Sequence, residues 1–91
     1  MSLVKATMFA IATFESTGHA MAGEQIFIEN NLDHVVIPLP TAIAASCGLA
    51  IRFWPADAET AHKLLQKAEL EFHIYQGVKD QTKEKYELIN F

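Results

Sequence analysis

Residues 37–53 read "IPLPTAIAASCGLAIRF" and contain the only cysteine of the 91-residue chain. The stretch divides into three parts. The first completes an apolar, β-branched run, "HVVIPLP", closed by Pro38 and Pro40, which have no backbone N–H to offer a sheet. The small residues "TAIAAS" make a loop. From Cys47 onward the period is two: Leu49, Ile51 and Phe53 alternate with Ala50, Arg52 and Trp54, the pattern of a strand with one buried face. The stretch therefore reads as strand, short loop and strand.

Upstream, "KATMFAIATF" (5–14) is β-prone and ends at "EST", where the hydroxyl of Ser16 or Thr17 can accept the free N–H groups of a helix start. That helix is expected to run to about Asn31, with Ala20, Met21, Phe27, Ile28 and Leu32 on one apolar face. Downstream, Pro55 stops the strand. "ADAETAHKLLQKAEL" then reads as a second helix with Leu64, Leu65 and Ala68 inward, and "EFHIYQG" as a fourth strand. The order β-α-β-β-α-β predicts an α+β ferredoxin-like plait: a four-stranded antiparallel sheet with both helices on one face. Residues 1–78 form the single domain. Residues 79–91 form a C-terminal tail whose Tyr86, Leu88, Ile89 and Phe91 pack back on the sheet or on a partner.

Composition narrows the function. A net charge of -4 with no basic run argues against nucleic acid and against an anionic membrane surface. No stretch approaches the roughly 20 apolar residues of a membrane span. Lys5, the apolar run after it and "AMA" at 20–22 loosely imitate a secretory signal, but Glu15 and His19 interrupt it and the segment reads as strand plus helix start. One cysteine makes no internal disulfide, so a cytoplasmic setting is expected. His19, His34, His62 and His73 lack metal-ligand spacing, and the four glycines are too dispersed for a phosphate loop, so neither a metal nor a bound cofactor is expected.

The plait makes a chemical prediction. Its first strand delivers the start of the first helix to the same end of the sheet as the connection between the second and third strands. "STGH" (16–19) and "PTAIAASCG" (40–48) should therefore be neighbours, with the Cys47 sulfur within about 8 Å of the first helical turn. A helix N-terminus and His19 favour a thiolate, Ser16, Thr17 and Ser46 add hydroxyl donors, and Gly48 leaves backbone open beside the sulfur. Burial beside Leu49 and Phe53 opposes ionisation. Free cysteine also packs commonly as a small hydrophobe. Two functions follow: a reactive carrier thiol, or an interaction or regulatory plait with a structural cysteine. A redox sensor is weaker, because the chain offers no resolving cysteine.

"FESTGHAMAGEQ" together with "VVIPLPTAIAASCGLAIRF" resembles the selenium/sulfur-carrier-like family of small bacterial domains, whose pattern is Ile-Pro-x-Pro, a short loop and Ser-Cys-Gly entering an apolar strand. The resemblance covers roughly residues 6–78. It implies that Cys47 carries sulfur or selenium covalently as a persulfide or selenopersulfide, that Pro38 and Pro40 shape the loop, and that Gly48 clears space beside the sulfur. It also implies a cysteine-desulfurase-type donor and a thiol acceptor protein as partners, and a carrier rather than a turnover enzyme. Thr41, Ala44 and Ala45 depart from the arginine and serines common in the family, which weakens the anion-attracting character of the loop.

Strand parity leads to one more expectation. Met8, Ala10, Ala12, Val36, Ala50, Trp54 and Tyr75 should share the face away from the helices. So apolar a face calls for a cover: a second copy, giving a homodimer, or the tail.

Overall fold

The computed structural model describes residues 2–91. Its elements are a 3₁₀ turn (Leu3–Lys5), β1 (Met8–Phe14), α1 (Thr17–Glu29), β2 (His34–Pro38), β3 (Leu49–Phe53), a 3₁₀ turn (Pro55–Asp57), α2 (Ala58–Lys67), β4 (Phe72–Asp80) and β5 (Lys83–Leu88). The strands form one antiparallel sheet in the order β2-β3-β1-β4-β5. The sheet thus has five strands, not the expected four. The fifth comes from the residues read as a tail: β4 runs on to Asp80, Gln81 takes a left-handed φ of 57° in the turn, and Lys83–Leu88 returns along β4.

Both helices cover the same face. Ala10, Ala12 and Phe14 of β1, Ile51 and Phe53 of β3 and Ile74 of β4 meet Ala20 and Phe27 of α1 and Ala58, Ala61 and Leu65 of α2 in one cluster with Cys47. Small residues let α1 come close to the sheet. A Cβ on Gly23 would lie 2.7 Å from Cζ of Phe14, so only glycine accommodates that ring without displacement. The buried stripe of α1 is therefore Ala20, Gly23 and Phe27. Met21 and Ile28, expected in the core, are exposed at 66 % and 52 %. On α2 the buried residues are Ala58, Ala61 and Leu65, and Ala68 is exposed at the C-cap rather than inward.

The opposite face also departs from expectation. Register with Ile51 puts Ala12 and Val36 on the helix face, and Ala10 and Met8 share their parity. Ala50 lies on the far face as expected, and so does Tyr75 opposite Ile11, but β1 brings Phe9 and Ile11 there, with Ile37, Leu39 and Tyr86 packed around them. Trp54 lies beyond β3 and donates its indole N–H to Asp33 at 2.8 Å. The parity of β1 is illegible because six of its seven residues are buried, so neither face shows a polar alternation.

Arg52 closes the far face. It is only 7 % exposed, and its guanidinium carbon sits 3.6 Å from the centre of the Phe9 ring. Its Nε donates to the Leu3 carbonyl at 3.1 Å, Nη2 to the Ala6 carbonyl at 2.8 Å, and Nη1 reaches Glu84 of β5 at 3.5 Å. One side chain thus binds the N-terminal turn and the C-terminal hairpin to the sheet. No helix among the described residues is long and apolar enough to cross a membrane.

Candidate functional site

The site lies where β1 passes into α1 and the 39–48 connection enters β3. Ser16 caps α1 by accepting the His19 N–H at 3.1 Å, which fixes the helix start at Thr17. Leu39 donates its N–H to the Gly48 carbonyl at 2.9 Å, pinching the two ends of the connection together. Cys47 is thereby held beside the helix start.

The sulfur has two polar neighbours. The Leu49 N–H donates to Sγ at 3.4 Å, and the S–H points to Thr17 Oγ1 at 3.9 Å. A hydroxyl both accepts and donates, so Thr17 can receive the thiol proton's bond or give its own to a thiolate. Next to this pair, Ser46 donates to Glu15 at 3.3 Å and ties the loop to the end of β1. Gly48 opens outward: a Cβ there would meet nothing within 4 Å. Cys47 itself is 2 % exposed and belongs to the main core cluster.

The structure thus brings Cys47, Thr17, Ser46 and Ser16 to one end of the sheet. His19 is engaged elsewhere. Its Nδ1 accepts the Glu71 N–H at 3.2 Å, which links α1 to the connection before β4 and, in the neutral ring, leaves the proton on Nε2. Two groups of the site have no mark in the sequence. Glu15 is a lone acid before the cap, and the Leu49 N–H is backbone; both gain meaning only when residues about thirty apart are folded together. Among the described residues no group of three or more His, Cys, Asp or Glu side chains is gathered to hold a metal ion.

A family model described as "Putative Se/S carrier protein-like" matches residues 9–76, well over half of the chain. The chain belongs to this family. The matched span of this Se/S-carrier-like domain runs from β1 into β4 and includes the whole Cys47 site; the end of β4, the turn and β5 lie beyond it. No curated protein and no solved structure gives a significant match.

Proposed function

We propose that the protein carries a sulfane sulfur or selenium atom on Cys47. The observation that supports this most is the pair of groups at the sulfur, the Leu49 N–H and the Thr17 hydroxyl, inside the span that matches the family. Both can donate to an anionic sulfur, the form needed for attack.

In the loading step the Cys47 thiolate attacks the outer sulfur of a donor protein's persulfide. A new S–S bond forms at Cys47, the donor's S–S bond breaks, and the donor cysteine leaves as a thiolate. Delivery is the same exchange with an acceptor thiolate, and no net oxidation occurs. With selenium, the outer atom is selenium throughout. The donor fits a cysteine-desulfurase-type enzyme, and the acceptor a thiol protein. Because Cys47 is buried, loading requires the 40–46 loop to lift, which breaks the Ser46–Glu15 contact. Gly48 lies on the open side of that movement.

The same burial favours a second reading, in which Cys47 is a packing residue of an interaction domain. Intact mass after incubation with a small persulfide donor separates the two. The carrier gains about 32 Da, or about 79 Da with a selenium donor, in the native state; a reductant removes the adduct and Cys47→Ser never shows it. An adduct that forms only after denaturation overturns the carrier reading and leaves the packing one.

A further inference from the structure

The two edges of the sheet are built differently. β5 presents Lys83, Glu84, Lys85 and Glu87, the alternating charges that keep an edge from pairing. β2 reads His34-Val35-Val36-Ile37-Pro38, with no acidic or permanently charged residue. In a chain of net charge -4, copies meet with least repulsion where charge is absent. The bond from Leu39 to Gly48 fixes which backbone groups of β2 are free. Residues 39, 37 and 35 point their groups at β3, so His34, Val36 and Pro38 turn theirs to the open side.

We propose that two copies of this chain pair antiparallel through β2, with Val36 on the two-fold axis. In that register Val36 of each copy exchanges N–H and C=O with Val36 of the other, and each His34 N–H meets the Pro38 carbonyl of the second copy. Proline supplies only the acceptor here, so each His34 carbonyl goes without a backbone donor from the second copy and stays open to water at the end of the seam. No acidic or basic strand residue opposes its like.

The helices match the same seam. Glu24 of α1 reaches His34 at 3.3 Å and Phe27 packs against its ring at 5.4 Å, so the Glu24 side of α1, which itself lies on β3 and β1, looks toward β2. Met21 and Ile28 flank Glu24 at three and four residues along that helix face, and both are exposed, as is Val36 at 39 %. Across the axis β2 would lie about 4.8 Å from its mate and β3 about 14 Å from its own. Joining the edges therefore also turns the two exposed Met21–Ile28 stripes toward one another. The Cys47 sites end up at opposite ends of the seam, so the inference stands independently of the carrier reading.

Sedimentation of the full chain at micromolar concentrations should show a dimer. Val36→Asp, which sets a carboxylate against its own copy, should weaken it by at least about tenfold, and Ile28→Glu, on an exposed helix site, should weaken it with the circular dichroism unchanged. Glu87→Lys on the β5 edge should leave the dimer intact. In a Cys47→Ser background, Val36→Cys should form an intermolecular disulfide, because residues paired on the axis lie about 5.5 Å apart at Cα, while Ile37→Cys should not. A chain that stays monomeric, leaving the edge to an extended peptide of another protein, overturns the proposal. So does a dimer that survives both charged variants, or one that cross-links no better through residue 36 than through 37.

Discussion

The two faces of the sheet are sealed by different physics. Under the helices β1 is small at its middle, Ala10 and Ala12, with bulk from Phe14, Ile51, Phe53 and Ile74 of the strands and from Phe27 and Leu65 of α1 and α2. On the far face the strands supply the bulk, Phe9 and Ile11, and the cover is one guanidinium, a 3₁₀ turn and a tyrosine from β5. The helix face is held by apolar area, which tolerates small adjustments. The far face depends on a buried cation each of whose three nitrogens holds a hydrogen-bond partner, and such an arrangement tolerates displacement poorly.

The largest expected effect is on the helix face. Phe27 is fully buried, with ring centres 5.0 Å from Phe53 and 5.4 Å from His34. Phe27→Ala should lower the unfolding free energy by about 3–5 kcal/mol, measured by urea denaturation, because it removes both the ring's burial and the contacts around the space it leaves. A loss under about 1 kcal/mol would mean that the helices contribute little and the comparison fails. On the far face the corresponding change adds an atom. A Cβ on Gly77 would sit 2.2 Å from Cε2 of Phe9, and the ring cannot swing away because Arg52 lies over it and Tyr86 packs edge-on at 6.0 Å. Gly77→Ala should cost about 1–3 kcal/mol despite the usual gain of alanine over glycine in a strand. Phe9→Leu in the same chain should recover part of that loss, whereas Phe9→Leu added to Phe27→Ala should recover none.

These faces also explain what could be read from the residues alone. The order of the first four strands and two helices was legible, since Ser16, Pro38 and Pro55 punctuate it and β3 alternates cleanly. The meeting of Cys47 with the α1 start was legible too, because it follows from topology and not from side-chain detail. The parity of β1 was not, since a strand buried on both sides shows no polar alternation and its one polar residue, Thr13, is itself buried. α1 misled for a related reason. Its largest apolar residues include the exposed Met21 and Ile28, while the true contact stripe needs Gly23 to be small. β5 was hidden twice: "KEKYEL" looks solvated because it is an edge, and its turn places Gln81 in the left-handed region that glycine or asparagine normally signals. Arg52 shares the parity of Ala50, on the face expected to need a cover, and the cover is the N-terminal turn together with β5.

The smallest effect tests the far face by pH. Burial holds the Tyr86 phenol above its usual value of about 10, the Glu84 charge and a hydrogen bond to Glu84 add to the rise, and Arg52 partly opposes it. The folded protein therefore keeps this proton more tightly than the unfolded chain does. The resulting stability is fully present below about pH 10 and is lost as the pH climbs through the folded value, where the unfolded chain has already ionised. Tyr86→Phe removes the group in both states. At neutral pH it should cost no more than about 1 kcal/mol, the worth of one partly exposed hydrogen bond. Between about pH 10 and 11.5 the wild type should lose stability faster than the variant, so that the gap between them narrows or reverses. Equal slopes in urea titrations across that range would show that the ring is not desolvated by Phe9 and its neighbours, and the far face would then be open at its β5 side.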